Sequence, residues 1–512
     1  MNYSKSGRTE SAAARMAPKY FAFAATLLMT FGFFAAAVYQ NTNMEPPLAL
    51  KADGAGLPDA SILAKAPDRT KWASRYNGPG NFDDQEWSLA ISPDGSKIYV
   101  TGFSYGGSST RYDYATIAYN AATGAQIWTA RYNGPGNADD MAFDIVVSPD
   151  GSKVYVTGES YNTSYDYATV AYTASAGIRL WVAIYNGAPI DDEDNGASIA
   201  IAPDGSKVYV TGWSMSIFGD WNYVTVAYLA ATGKELWVAG YDGPAHSSDI
   251  AYDIVAAPDG SNVYVTGTSL NSTSNDYATV AYDASTGAQR WVVKYNGYVG
   301  LIDRDDCGYA IAITPDSKMV FVTGSSFGDQ YYDIATVAYD TASGTQLWVT
   351  RYNGPLGYGQ DLGYSIAVAP DGKKVYVTGL SDGIDTGSDI VTLSYSTDTG
   401  AQIWVARYNG PGNGPDGSHH FPIHAIAVAP GGGTVYVTGA SQGVGTGQDF
   451  VTLAYGTRNG ARSWVQSYNG PANGADWGDS VVVALDGRTV YVSGTSKGIN
   501  SGYDYTTIAY KA

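Results

Sequence analysis

From Lys71 onward the chain alternates apolar and polar residues in short runs separated by Gly, Pro, Asn and Asp clusters, the period-two pattern of strands with one buried face. Met141 to Ser148 leads through Pro149-Asp150-Gly151 into Lys153 to Thr157, which predicts a tight hairpin. Tyr167 to Tyr172 then runs through Ala176-Gly177 into a strand holding Trp181. These four β segments form one unit.

The unit recurs eight times. Trp72, Trp128, Trp181, Trp237, Trp291, Trp348, Trp404 and Trp464 set its register, each followed four residues later by Tyr76, Tyr132, Tyr185, Tyr241, Tyr295, Tyr352, Tyr408 or Tyr468. In a strand that spacing puts both rings on one face. Four antiparallel strands every 53 to 60 residues predict an all-β fold, an eight-bladed β-propeller of four-stranded antiparallel blades with the eight Trp rings docking blade on blade. The repeats open with a lone Trp strand at Trp72 and end with Asp504 to Tyr510, the strand that elsewhere precedes a Trp strand. The N-terminal Trp strand is therefore expected to complete the last blade and leave no free edge.

Composition sharpens this picture. The 512 residues are 45% hydrophobic and 15% charged, with 62 Gly, 43 Tyr and 12 Trp, which is too apolar for disorder. Lys+Arg of 29 against Asp+Glu of 48 gives a net charge of −19, which repels phosphate backbones, so nucleic acid is not an expected partner. Cys307 is the only cysteine, so no intramolecular disulfide, thiolate zinc cluster or redox pair can form.

Residues 1–19 carry Lys5, Arg8, Arg15 and Lys19 against Glu10, and an uncharged stretch from Tyr20 to Met44 includes Ala35, Ala36 and Ala37. Residues 1–40 read as an export signal, either a cleaved signal peptide or an uncleaved anchor long enough to span a bilayer. No cysteine follows closely, so a lipoprotein anchor is not expected. Residues 41–66, with Pro46, Pro47 and Pro58, read as a flexible linker, and 67–512 as the propeller, expected to be monomeric. The expected location is extracytoplasmic (periplasmic, cell-surface or secreted), with membrane contact only through an uncleaved N-terminal segment.

Residues 281–291, Ala-Tyr-Asp-Ala-Ser-Thr-Gly-Ala-Gln-Arg-Trp, resemble the tryptophan docking motif of quinoprotein-like (PQQ-like repeat) propellers. Seven copies keep the Gly four residues before Trp: Gly124, Gly177, Gly233, Gly287, Gly344, Gly400 and Gly460. Residues 149–158, Pro-Asp-Gly-Ser-Lys-Val-Tyr-Val-Thr-Gly, resemble the repeats of bacterial surface-layer and YVTN-type propellers. Together the resemblances span residues 71–512. They imply eight-bladed geometry, which is shared by cofactor-free scaffold members such as the outer-membrane assembly lipoprotein. Quinone-dependent members of the superfamily cover their cofactor with a bonded pair of neighbouring cysteines. With Cys307 alone, and the motif's Asp kept only as Asp283 and Asp340, bound quinone (PQQ) is not expected.

Candidate chemistry lies where the chain enters each innermost strand. Counting nine residues back from the Pro of Pro-Asp-Gly or its equivalent finds Asp84, Asp140, Asp194, Asp249, Asp306, Asp361 and Asp476. A second connection ends in Asp113, Asp166, Asp276, Asp333, Asp389, Asp449 and Asp504, with Asn222 in the remaining unit. These acids either form a negative rim that attracts cations or basic peptides, or accept backbone N–H bonds that hold their loops. Repetition favours the second reading, because binding sites usually break symmetry.

Calcium is the cofactor to test. Residues 191–196, Asp-Asp-Glu-Asp-Asn-Gly, and 303–306, Asp-Arg-Asp-Asp, gather hard oxygen ligands, with Asp191, Asp192, Asp303 and Asp305 as candidates. Neither run is an EF-hand, since the twelfth position is Ala202 or Thr314. In the seventh unit Phe421 stands at the rim position, and His419, His420 and His424 gather near Asp416, a group able to bind a transition metal or serve as base and orienter.

No catalytic residue is assigned. Residues 102–106 spell G-x-S-x-G but leave a strand for a loop, and no phosphate loop or dinucleotide fingerprint is present. The leading expectation is an exported binding scaffold with a protein or glycan partner in the cell envelope. The alternative is a divergent propeller enzyme, either a quinoprotein-like oxidoreductase or a carbohydrate-active hydrolase or lyase, with or without a metal.

Overall fold

Val-Tyr-Val-Thr and Ala-Thr-Val-Ala-Tyr segments are rich in β-branched and aromatic residues, which pack well on a pleated surface and form the two middle strands of every blade. The computed structural model describes residues 68–187, 193–297, 304–328, 330–417 and 425–512. Among them, thirty-two strands, β1 to β32 in chain order, make eight four-stranded antiparallel sheets. The predicted signal segment and the predicted linker lie outside the described residues.

One blade stands for the rest. β6 (Asp140–Val147), β7 (Lys153–Tyr161), β8 (Tyr165–Thr173) and β9 (Arg179–Tyr185) pair in sequence order. The Pro149-Asp150-Gly151 turn closes the first hairpin: Asp150 Oδ1 accepts the Ser152 N–H at 2.9 Å and Gly151 takes φ 68°. β7 runs on to Tyr161, beyond the predicted end at Thr157, because the connection into β8 is short.

The first strands of the blades are β2 (Asp84–Ile91), β6, β10 (Asp194–Ile201), β14 (Asp249–Ala256), β18 (Asp306–Ile313), β22 (Asp361–Val368), β26 (Ala425–Val428) and β30 (Asp476–Val483). Each neighbours the next, and β2 neighbours β30, so the ring is closed. Closure uses the chain ends as predicted. β1 (Thr70–Tyr76) pairs with β32 (Tyr503–Lys511), with Trp72 opposite Ala509 and Tyr76 opposite Tyr505. β31 (Thr489–Lys497) and β30 complete that blade.

The blades are wedged together by the predicted rings. Trp128 Nε1 donates to Ala174 O of the next blade at 3.2 Å, and Tyr99 OH donates to the same oxygen at 3.0 Å. A Cβ at Gly177, where φ is 66°, would lie 2.6 Å from the Trp128 ring, so only glycine fits beneath the indole. Seven of the eight indole N–H groups make this bond to the following blade, from Trp72 to Ala121 O through Trp404 to Thr457 O. Trp464 lies at the seam between chain ends, where the Arg69 guanidinium covers it at 5.4 Å. Burying such a ring removes roughly 200 Å² from water and contributes up to about 5 kcal/mol.

Candidate functional site

Each Tyr-Asn-Gly-Pro turn must re-enter the sheet at an inner strand, and its glycine N–H points inward as it does so. The rim Asp receives it. Asp84 Oδ2 accepts Gly78 N–H at 2.6 Å and Oδ1 accepts Tyr105 N–H at 3.1 Å. Gly134, Gly187, Gly243, Gly297, Gly354 and Gly470 donate in the same way to Asp140, Asp194, Asp249, Asp306, Asp361 and Asp476, at 2.6 to 2.7 Å. All seven carboxylates are at most 2% exposed. Burial pushes Asp84, Asp140, Asp249, Asp306 and Asp361 up to about 6. The oxygens of these carboxylates face loop backbone rather than solvent.

The seventh blade is corrected. Asp416 Oδ2 accepts Gly410 N–H at 2.7 Å and Oδ1 accepts Gln442 N–H at 3.0 Å, which is the rim geometry. Asp416, rather than the residue at 421, is the eighth rim acid, and it too is pushed up to about 6 by burial. His419, His420, His424, Asp191, Asp192 and Asp303 lie outside the described residues. Asp305 Oδ1 accepts the Asn275 N–H at 2.8 Å and its Nδ2 at 3.0 Å, a link from one blade to the next. Asp83 does the same for Tyr503 N–H at 3.0 Å. Among the described residues, no three His, Cys, Asp or Glu side chains converge to hold a metal ion.

The second row of acids meets a partner that the sequence reading missed. Three residues after the Trp stands Arg75, Arg131, Lys294, Arg351 or Arg407 in five units. Arg131 binds Asp113 at 2.8 Å, donates to Ser104 O at 2.7 Å, and reaches Tyr76 OH of the preceding blade at 3.3 Å. Arg75, Arg351 and Arg407 repeat this latch on Asp504, Asp333 and Asp389 and on Tyr468, Tyr295 and Tyr352. The recurring Arg was the available signal.

The inner surface is shaped by a β-bulge in each fully described inner strand. The pairing skips Trp87, Phe143, Ala197, Tyr252, Tyr309, Tyr364 and Asp479. A bulge re-aims its side chain, and here rings of successive blades meet: Trp87 with Phe143 at 5.4 Å, Tyr252 with Tyr309 at 5.6 Å, and Tyr309 with Tyr364 at 5.9 Å. Just beyond the bulge, Asp144 accepts from Ser88 at 2.9 Å and Ile199 N–H at 3.0 Å, and Asp253 accepts from Ser198 at 3.1 Å and Ile311 N–H at 2.9 Å. Burial raises both, Asp253 to about 7. Glu86 and Asp479 interrupt this regular lining.

The fold and site define a class: a closed eight-bladed propeller whose repeated acids lock loops and whose inner face is aromatic. The family profile described as outer membrane protein assembly factor BamB (PQQ_2) matches residues 61–309, 220–390 and 333–507, and the chain belongs to this PQQ-like repeat family. Among solved structures, Sqt1 of Chaetomium thermophilum bound to the N-terminus of the ribosomal protein L10 is similar, at 12% identity, with 87% of this chain and 100% of that chain covered and a TM-score of 0.57. A structure of Sqt1 from the same organism gives 11% identity, 87% and 99% coverage and a TM-score of 0.56. BamB from Moraxella catarrhalis gives 14% identity, 86% and 99% coverage and a TM-score of 0.47. No curated protein matches this chain in sequence.

Proposed function

We propose that the chain is an exported propeller scaffold that captures a segment of a protein partner on the face carrying the strand-entry loops. One observation carries the reading. Ile384, Val444 and Ile499 occupy the same place in three consecutive blades, at the tip of a Ser-x-Gly-Ile/Val-x-Thr/Ser-Gly-x-Asp turn, and are 60, 74 and 65% exposed. Apolar side chains held in water in a row, above acids already committed to backbone, are the makings of a binding patch. The tips are braced by the entry loops: Asn413 Nδ2 donates to Asp385 O at 3.2 Å and Asn81 Nδ2 to Asn500 O at 2.9 Å.

The description of the family as an outer membrane assembly factor supports an extracytoplasmic setting, as does the export pattern of residues 1–40. The peptide-bound state of Sqt1 supports a protein segment as the partner. Among the described residues, no helix is long and apolar enough to cross a membrane.

The test is crosslinking of the full chain in its native envelope. The triple variant Ile384→Asp, Val444→Asp, Ile499→Asp is expected to lose its crosslinked partner. The control Ile178→Asp, at an exposed site on the opposite hairpins, is expected to keep it. Capture that survives the triple change, or is lost only in the control, overturns the reading.

A further inference from the structure

Among the described inner strands, the third residue is small wherever the repeat is regular: Ala142, Gly196, Ala251, Gly308, Gly363 and Gly478. Glu86 replaces it in the first blade. At the bulge, where other blades carry Trp87, Phe143, Ala197, Tyr252, Tyr309 and Tyr364, the last blade carries Asp479. Because β2 lies against β30 across the closing seam, Asp479 feels the charge of Glu86.

Their surroundings are polar and closed to solvent. Glu86 is 1% exposed and Asp479 4%. Ser493 donates its hydroxyl to Glu86 Oε1 at 2.7 Å, and Thr495 Oγ1 accepts the Glu86 N–H at 3.2 Å. In the regular blades the residue equivalent to Ser493 is a threonine that bonds the next strand, as Thr101 does with Thr116 at 3.1 Å. Glu86 Oε2 and both oxygens of Asp479 have no hydrogen-bond partner, and Thr495 lies near enough to favour an ionised Asp479 but outside hydrogen-bonding geometry. Burial raises both acids, Glu86 to about 8, and the charge of Glu86 raises Asp479 further. Two carboxyl groups held out of water with three bare oxygens need either a proton or a cation to compensate their charge.

We propose that Glu86 and Asp479 bind one hard divalent cation of the calcium class at the seam between the first and last blades, with the hydroxyls of Ser493 and Thr495 completing an all-oxygen donor set. Oxygen donors without nitrogen or sulfur suit calcium over the later transition metals. Burial this complete excludes a partner's side chain. The site is assembled only when the ring closes, so occupancy ties the two ends of the propeller together. This inference is independent of the scaffold reading.

The test uses the full chain stripped with chelator and titrated with Tb³⁺, whose emission Trp87, next to Glu86, and Trp477, two residues before Asp479, would sensitise. The expected result is saturable emission displaced by Ca²⁺, one calcium per chain by elemental analysis, and a calcium-dependent rise in Tm. Glu86→Gln and Asp479→Asn are each expected to weaken binding at least tenfold with unchanged circular dichroism. Should either fail to fold, Glu86→Asp, which keeps the charge but shortens the arm, is expected to weaken binding tenfold, and unchanged affinity overturns the proposal. A wild-type chain with no calcium-dependent Tm overturns it. So does calcium-displaceable emission that persists in the double variant, which would leave a shared proton as the reason these acids are tolerated.

Discussion

Two sets of buried carboxylates sit within one strand of each other and behave differently. The eight rim acids recur in every blade, and each accepts a loop glycine N–H. Glu86 and Asp479 occur once each, with one hydroxyl donor to Glu86 and none in bonding geometry to Asp479. Both sets are shielded from solvent, and the donors around them differ. In a repeat protein the regular carboxylates hold the scaffold, and the irregular ones are free to hold something else.

The sharpest break of this contrast is Asp84→Ala. It leaves Gly78 and Tyr105 N–H groups buried without an acceptor and is expected to cost about 2–4 kcal/mol in denaturant unfolding. Arg131→Met should cost less, about 2 kcal/mol. It strands Asp113 in a buried position, but the Arg131 side chain is 22% exposed and partly screened by water.

The pH dependence separates the two sets. Burial raises Asp84, Asp140, Asp249, Asp306, Asp361 and Asp416 from an ordinary 3.8 to about 6, so the fold holds more protons in that window and stability falls as pH rises from about 4 to about 6. Glu86, moved from 4.5 to about 8, extends the fall toward pH 8. In chelator, Glu86→Gln is therefore expected to lose less Tm between pH 6 and 8 than the wild type, measured by calorimetry across that range. The smallest effect belongs to the exposed tips. Val444→Asp should change stability by no more than about 0.5 kcal/mol in the same unfolding assay, whatever it does to partner capture.

The blades and their closure were legible because strand period, turn residues and the Trp register all state the same geometry. The lone Trp72 strand and the unpaired Asp504–Tyr510 strand leave one solution. Which carboxylates face water was not legible, since a conserved-looking spacing is common to loop locks and binding rims. Counting backward from the turn proline failed in the seventh blade, where extra residues separate the rim acid from its strand. Counting six forward from Gly410 reaches Asp416, as the same count from Gly78 reaches Asp84. Glu86 and Asp479 were visible as breaks in the repeat. What the pattern could not convey is that positions in the first and last units become neighbours with their oxygens unmatched.

The pairing of β1 with β32 has a consequence for how the molecule comes into being. The strand that leaves the ribosome first must wait for the one that leaves last, so seven blades can stack in the order of synthesis while the eighth stays half built. Trp72 and its neighbours remain sticky until β32 arrives. Maturation therefore waits on β32, and a chain halted before that strand would keep an open, adhesive edge.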